Sequence, residues 1–375
     1  MDFSFSAEQE MLRQSARTLL EKECPTTVVR RLMDDAAGYS PQLWATMAEL
    51  GWLGLTIPEQ YGGSEASYID LIVLTEEMGR AVLPSPYLWT VLFAEAIIRG
   101  GSDHHRQALL PAIARGELIG TLALLDSPSW DLEQIAMPAR AQNGNFILEG
   151  RKLYVNDAHI ADYLLVAART AASGRAGITV FAIERGRAGV GVQPLQTMDR
   201  TRKLAVVSFD KVQAAASDIV GTLDNGADLL EQVVQCGKVA LAAEMVGGAQ
   251  KVLDRTIDYA RVREQFGRPI GSFQAVQHKC ANMLIAIERA RSVTYYGACA
   301  LSSQGPDAAI AAATAKAAAS DGYRDVAGEG IQLHGGIGFT WEHDMHLYFK
   351  RAKSAEYTFG DANFNREIIA RHLAA

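Results

Sequence analysis

Residues 263–278 concentrate side chains suited to a large anionic, aromatic ligand. Arg263 ends a long amphipathic segment, and Gly267 and Pro269 predict a turn before a second helix. An arginine can bind phosphate through two parallel hydrogen bonds, and amides and phenyl rings suit a nucleotide. This corner carries Arg263, Gln265, Phe266, Phe273, Gln274 and Gln277. Taken alone, it is equally consistent with an ordinary polar turn between helices.

A second segment, residues 332–339, places glycines at the end of an alanine-rich helix. Gln332 precedes Gly335, Gly336 and Gly338. Glycine allows positive φ and lets a ligand approach main-chain N–H groups closely. An ordinary glycine helix cap is the alternative.

In this order and spacing, the two segments resemble the flavin-binding signatures of acyl-CoA dehydrogenases. The resemblance continues through residues 50–55 (LGWLGL), 58–63 (PEQYGG) and 76–80 (EEMGR). It also includes residues 101–102 (GS), 109–111 (LLP) and 116–117 (GE), and so covers nearly the whole chain. Among family members, the chain resembles the actinobacterial type that works as heteromeric complexes in fatty acid or steroid side-chain metabolism.

The resemblance implies a reaction, a cofactor and partners. An acyl-CoA dehydrogenase removes a proton from Cα and a hydride from Cβ of an acyl-CoA thioester; FAD accepts the hydride and passes electrons to an electron-transfer acceptor. It also implies a dimer or tetramer, in which Arg263, Gln265, Phe266, Phe273, Gln274, Gln332, Gly335 and Gly336 bind the adenine and pyrophosphate half of a neighbouring subunit's FAD.

Composition is typical of a large globular protein and argues against several partners. The chain has 375 residues, 49% of them hydrophobic, and a net charge of −7. No basic run suggests nucleic acid binding, and no apolar stretch approaches the ~20 residues that a membrane span needs. The N-terminus shows no targeting pattern, and the four cysteines lack metal-ligand spacing. A reduced cytoplasm is therefore expected.

The pattern along the chain predicts an α+β protein, mainly α. Helical periodicity extends from residue 7 to about 118, short β-rich runs separated by turns extend to about 222, and helices return from about 225. The predicted domains are an N-terminal α-helical domain (1–119), a central antiparallel β domain (120–222) and a C-terminal four-helix bundle (223–375). The resemblance implies the same plan.

Both places where the family carries its catalytic carboxylate lack one here. The C-terminal Tyr-Glu-Gly-Thr motif reads Thr358, Phe359, Gly360, Asp361, so that Phe359 stands where Glu is expected. The second place, before the Arg-x-x-Phe-Gly corner, reads Gly237-Lys238. A phenyl ring cannot accept a proton, so this subunit's own pocket is predicted to be unreactive.

Three acids are candidates for the base. Glu244 interrupts the apolar run 240–246 and lies two helical turns beyond Gly237. It is expected to be partly buried, as a catalytic base or as one half of a structural ion pair. Asp361 has the alternative role of a helix N-cap, and Glu356 that of a solvated helix face. Glu244 is the candidate we carry forward.

The half of the flavin site that a chain supplies for itself is altered. The family sequence Thr-Glu-Pro-Gly-x-Gly-Ser-Asp is replaced by residues 124–131 (LLDSPSWD), and the Trp-Ile-Thr strand by Tyr154, Val155 and Asn156. The chain thus keeps the half it would lend and has lost most of the half it would use. This predicts one subunit of a heteromeric complex whose paralogous partner carries the base.

Other functions stay open. One is a homomeric dehydrogenase that uses Glu244 or Asp361; another is a catalytically silent subunit that completes a partner's flavin site. A third is an oxidase or monooxygenase of the same fold. His343 and His346 flank Asp344, but without a third ligand at convincing spacing a structural polar network is preferred and no metal is predicted.

Overall fold

The computed structural model describes residues 5–171, 174–303 and 305–374. Helices occupy the first part of the chain, and serine caps begin three of them. The hydroxyls of Ser6, Ser40 and Ser102 accept the amides of Gln9, Leu43 and His105, each at 3.2 Å. These helices are α1 (Ala7–Glu23), α2 (Thr26–Asp34), α3 (Pro41–Glu49), α4 (Tyr68–Arg80), α5 (Tyr87–Gly100) and α6 (Asp103–Ala114).

The central region forms two four-stranded sheets, with orders β1-β4-β5-β8 and β2-β3-β7-β6. Their strands are β1 (Gly120–Ala123), β2 (Ala139–Gln142), β3 (Asn145–Asn156), β4 (Tyr163–Arg169), β5 (Ile178–Glu184), β6 (Val190–Leu195), β7 (Leu204–Ala214) and β8 (Ile219–Val220). Phe146 of one sheet packs edge-on against Phe181 of the other, with ring centroids 5.4 Å apart.

The antiparallel prediction holds for every described pair of named strands except β1–β4, which is parallel, with Gly120 opposite Tyr163. The chain leaves the first sheet after β1, forms β2 and β3 in the other sheet, and returns as β4. This crossover lets β4 run in the same direction as β1.

Helices resume after the sheets. They are α7 (Ala227–Val262), α8 (Gln274–Ser302), α9 (Ala308–His334), α10 (Met345–Tyr357) and α11 (Ala362–Ala374). Helix α9 packs against α8, α10 and α11, which builds the predicted C-terminal bundle. One buried cluster joins α4 to α7, α8 and α9. It comprises Ile72, Val239, Ala243, Ala298, Leu301 and Ala312. The fold class predicted from the sequence is confirmed.

Glycines let α4 and α7 cross with their backbones in contact. A Cβ added at Gly79 would overlap the carbonyl of Glu244, and one added at Gly247 would overlap the carbonyl of Glu76. Any larger residue at these positions must push the helices apart.

Two compact units are present in space. One comprises residues 1–31, 68–83 and 235–375; the other comprises residues 32–67 and 84–234. The domain limits expected along the sequence, at 119/120 and 222/223, remain predictions. None of the described helices is both long and apolar enough to cross a membrane.

Candidate functional site

The corner after α7 is a short β hairpin with a two-residue turn. Strands β9 (Glu264–Gln265) and β10 (Arg268–Pro269) pair antiparallel, and the Ile270 amide donates to the Arg263 carbonyl at 2.8 Å. Phe266 and Gly267 both have positive φ, 54° and 75°, as a type I′ turn requires. The predicted turn between two helices is therefore confirmed, in the form of a hairpin.

Candidate ligand-binding side chains on this hairpin face solvent. Phe266 is 93% exposed, and Arg263, Gln265 and Gln274 are also exposed. Phe273 is half-buried under the guanidinium of Arg268, which lies 4.1 Å from its ring centroid. A fully exposed ring is unfavourable in water, so the hairpin is suited to contact a ligand or another chain.

The second predicted segment is a glycine turn with free space around it. Helix α9 ends at His334, and Gly335 has φ 64° and ψ −144°, a conformation that favours glycine. No atom lies within 4 Å of a Cβ added at Gly335 or Gly336. Gln332 on the last turn is exposed. A ligand can therefore approach this backbone closely.

Aromatic stacking joins the two segments. The Tyr259 ring, one turn before Arg263, stacks on the His334 ring at 4.4 Å, and the Arg263 amide donates to the Tyr259 carbonyl at 2.8 Å. The ends of α7 and α9 are thus in contact. Guanidinium, amide and open main-chain groups at one place fit the adenine and pyrophosphate half of FAD.

Glu244 is buried and forms an ion pair. Its Oε1 lies 2.6 Å from Nη1 of Arg351, and Arg351 also donates to the Leu83 carbonyl at 3.3 Å. The expected burial is confirmed, and of the two predicted roles the ion pair is the one whose geometry is present. A base role for Glu244 remains a prediction.

Phe359 is fully buried in a turn with left-handed backbone, φ 60° at Phe359 and 83° at Gly360. Lys316 donates to the carbonyls of Glu356 and Gly360 and to the Ser320 hydroxyl at 2.7–3.0 Å. Burial and neighbouring Lys238 lower the pKa of Lys316 to about 7.

Asn365 supports the same turn. Its amide nitrogen lies 2.9–3.2 Å from the carbonyls of Phe359, Gly360 and Asp361. The sequence analysis missed both Lys316 and Asn365. A lone lysine within an alanine run was the available signal for the first; nothing local marked the second.

The two alternative acids have structural partners. Oδ1 of Asp361 accepts the Phe364 amide at 2.8 Å, which is the N-cap role anticipated for it. Glu356 is buried rather than solvated, contrary to expectation, because Arg324 and Lys353 reach its carboxylate at 3.1 and 2.5 Å.

In the β region, the segment that replaces the family's flavin loop is bonded to itself. Asp126 lies 2.8 Å from the buried Nζ of Lys152, and it accepts the amides of Ala136 and Met137. The Asp131 carboxylate accepts the Glu133 amide at 3.0 Å. These polar groups are committed within the chain, so this segment fits the isoalloxazine half poorly.

Tyr154, at the position of the family tryptophan, has φ 53° and lies at a register shift between β3 and β7. It is partly exposed, whereas Asn156 is buried and its amide nitrogen donates to the Tyr154 carbonyl at 3.4 Å. An aromatic and an amide thus remain at this strand.

Asp344 and its neighbouring histidines form a polar network. Asp344 pairs with Arg30 at 3.0 Å and Arg255 at 2.9 Å, and His346 lies 3.1 Å from the Trp341 carbonyl. Within the described residues, no group of His, Cys, Asp or Glu has an arrangement that could hold a metal ion.

Comparison with protein families gives matches along most of the chain. Models of the N-terminal, middle and C-terminal domains of acyl-CoA dehydrogenases match residues 6–117, 128–212 and 224–374. A similar curated protein is the acyl-CoA dehydrogenase IpdE2 of Mycobacterium tuberculosis, 37% identical over 365 residues, which are 97% of this chain and 96% of the relative.

Solved structures from the comparison have the same fold as this chain. Butyryl-CoA dehydrogenase from Megasphaera elsdenii has a TM-score of 0.93 at 26% identity, with complete coverage of both chains. A chain of the ChsE4-ChsE5 complex from Mycobacterium tuberculosis has a TM-score of 0.91 at 28% identity and covers 100% of this chain and 99% of that one.

Proposed function

The chain belongs to the acyl-CoA dehydrogenase family of oxidoreductases, and from that premise we propose that it is one subunit of a heteromeric complex. The complex dehydrogenates an acyl-CoA thioester with FAD, and a paralogous partner carries the catalytic glutamate. One observation carries the proposal: the hairpin and the glycine turn present an exposed guanidinium, amides and open backbone that suit the adenine half of FAD, whereas Phe359 and Gly237 stand at the two base positions.

The exposed hairpin supports the proposal that this chain contributes its adenine half-site to a neighbouring subunit. Arg263, Gln265 and Phe266 are exposed; the Gln265 side chain donates to the neighbouring Glu264 carbonyl, and the Phe266 ring meets the Phe273 ring edge-on with centroids 6.1 Å apart. In the proposed complex, Arg263 binds the FAD pyrophosphate, while Gln332 and the open backbone at Gly335 and Gly336 contact the adenine side.

FAD, when bound, accepts the hydride from Cβ of the substrate. This chain's residues bind and orient the cofactor, and Phe359 excludes water from its own base position without taking a proton. Glu244 supports the fold through Arg351. The ChsE4-ChsE5 neighbour is described as a complex of two proteins, which is consistent with a two-protein assembly.

Two rivals use the same residues differently. A homomeric dehydrogenase needs Glu244 or Asp361 as base, and both carboxylates already have structural partners at 2.6 and 2.8 Å. A catalytically silent subunit that completes a partner's site agrees with the altered segment at residues 124–131 and differs from the leading proposal only in whether this chain's own pocket binds substrate.

A visible spectrum tests the proposal. The chain is purified alone and together with a paralogous subunit, and each preparation is assayed for acyl-CoA oxidation with an artificial electron acceptor. We expect colourless, inactive protein alone and yellow, active protein in the complex. Yellow chain that oxidises acyl-CoA by itself at a normal rate would overturn the proposal and favour the homomer.

A further inference from the structure

Arg30, on α2, directs its guanidinium at the loop that follows the glycine turn. Its Nη1 donates to the carbonyl of Trp341 at 2.7 Å. Its Nη2 lies 3.3 and 3.2 Å from the carbonyls of Glu342 and His343. Nε and Nη2 reach Oδ1 of Asp344 at 3.2 and 3.0 Å. One side chain therefore contacts four consecutive residues.

These contacts require arginine. A loop with three successive carbonyls facing one point concentrates negative partial charge, and a rigid fork of five N–H donors matches it. Lysine offers the same charge from a single nitrogen with three donors, and so it cannot reach all four acceptors.

Asp344 links this contact to α7. Its other oxygen lies 2.9 Å from Nη1 of Arg255. Although burial raises it, hydrogen bonds from Thr26 and Arg30 hold the pKa of Asp344 below its ordinary value. The carboxylate is therefore charged at neutral pH and joins α2, α7 and the loop.

His346 adds a second donor to the loop. Its Nε2 lies 3.1 Å from the Trp341 carbonyl, and Trp341 stacks on its ring at 4.6 Å. Its buried Nδ1 has no hydrogen-bond partner in the described part of the chain. A bare acceptor is less costly there than an unmet N–H, so we assign the proton to Nε2, which donates to the Trp341 carbonyl; Nη2 of Arg30, 3.4 Å from the same nitrogen, is then a neighbour and not a hydrogen-bond donor to it. Burial lowers the pKa of His346, which favours this neutral form.

The loop is in turn joined to the half-site. The His343 ring lies 4.7 Å from the His334 ring, which stacks on Tyr259. His334 is the last residue of α9 and directly precedes Gly335. A displacement of residues 341–344 is therefore transmitted through the His343 and His334 rings to the residue that directly precedes the glycine turn.

We propose that Arg30 is a positioning residue: by bonding residues 341–344, it holds the Gln332–Gly336 turn in the conformation that binds a neighbouring subunit's FAD. Arg30 itself does not touch FAD. The inference rests on the proposed function, because it assigns a cause to the shape of that same half-site.

The test compares Arg30→Gln, Arg30→Lys and Arg31→Gln in the assembled flavoprotein. Arg31 is the adjacent residue on α2; it is exposed and makes no hydrogen bond or ion pair within the described ranges, so its variant matches the charge change. We measure FAD affinity by titration, amide hydrogen exchange in residues 335–344, and the thermal midpoint.

For Arg30→Gln we expect about tenfold weaker FAD binding, equivalent to about 1.4 kcal/mol, and faster exchange confined to residues 335–344. Arg30→Lys should fall between it and wild type, and Arg31→Gln should match wild type. Unchanged FAD affinity despite faster exchange would overturn the inference, as would unchanged exchange. If Arg30→Gln does not fold, the Arg30→Lys result decides by the same two measurements.

An Arg263→Ala variant separates the two claims. If it weakens FAD binding while Arg30→Gln does not, the positioning role is wrong and the half-site assignment stands. If Arg263→Ala has no effect either, the half-site assignment itself fails, and the exchange data still report whether Arg30 holds the loop.

Discussion

At the scale of single residues, Glu244 is the test of whether this chain has a base of its own. Its carboxylate lies 2.6 Å from Arg351, itself buried, so the pair is part of the packed interior. Burial was predictable from the apolar run around Glu244. The partner was not, because it lies 107 residues further along the chain and only the tertiary fold brings the two together.

Glu244→Gln keeps size and hydrogen bonding but removes the negative charge. We expect turnover per assembled flavin to stay within about twofold of wild type, and unfolding free energy to fall by about 3–5 kcal/mol, because Arg351 is left as an uncompensated buried charge. Steady-state assays and urea unfolding provide the measurements.

A double variant serves as the control for this prediction. Glu244→Leu with Arg351→Met removes both charges and should recover most of the stability. A large loss of turnover in Glu244→Gln, with folding and flavin content intact, would instead identify Glu244 as the base.

Lys316 gives a prediction about pH. Burial, with Lys238 nearby, lowers its pKa from 10.5 to about 7. Between those values the unfolded chain binds more protons than the folded one, so stability rises with pH, by up to about 1.4 kcal/mol per pH unit for one group. The stability that the folded protein gains over this pH range is lost as the pH falls through the folded-state pKa of Lys316, about 7.

In Lys316→Met this contribution to the slope should disappear between pH 7 and 9.5, as measured by urea unfolding at several pH values. Lys152, whose pKa burial lowers to about 8, contributes a slope of the same sign in both proteins. The difference between the two curves therefore isolates Lys316. Parallel curves would show that Lys316 stays charged in the folded state.

At the scale of elements, the sequence predicted turns and helices better than it predicted strand pairing. Gly267 and Pro269 signalled a turn, and the glycines after α9 signalled its end. The parallel β1–β4 pair and the short strand β8 depend on partners far along the chain, so no local pattern announces them. The hairpin's positive φ at Phe266 was equally hidden, since phenylalanine does not favour it.

The crossing of α4 and α7 yields the prediction at this scale. Gly79→Ala should cost about 3 kcal/mol or more, because the new methyl group meets the fixed carbonyl of Glu244 rather than a movable side chain. Chemical denaturation measures the change.

Gly328→Ala in α9 is the matched control for that crossing. Nothing lies within 4 Å of its added Cβ, so we expect a gain of up to about 1 kcal/mol. Equal effects of the two substitutions would mean that the helices can separate at little cost.

The hairpin after α7 supplies a second element-scale prediction. Arg263→Ala should weaken FAD binding to the assembled complex by about 1.5–3 kcal/mol, the worth of a hydrogen bond to a charged group. Fluorescence titration with FAD measures it, and Arg261→Ala is the control, because Arg261 is an exposed arginine two residues before Arg263, at the end of α7. Wild-type affinity in Arg263→Ala would remove this residue from the site.

At the scale of the whole molecule, the proposed function implies unequal flavin sites. If this chain contributes its adenine half-site to a paralogous subunit and residues 124–131 no longer serve as an isoalloxazine half, the complex has one complete site per pair of chains. We expect one FAD per pair of chains, measured as released flavin absorbance against protein determined by amino-acid analysis. One FAD for every chain would show that residues 124–131 still form a working site.

The exposed ring of Phe266 has a consequence for how such a complex is produced in a cell. The Phe266 side chain at the hairpin tip is 93% exposed. In the proposed complex the partner subunit would cover it, so the exposed ring marks every unassembled copy. Chaperones and proteases select substrates by exposed apolar side chains. Surplus copies of this chain would then be removed while paired copies are spared, so that overproduction of this subunit would not leave an excess of it.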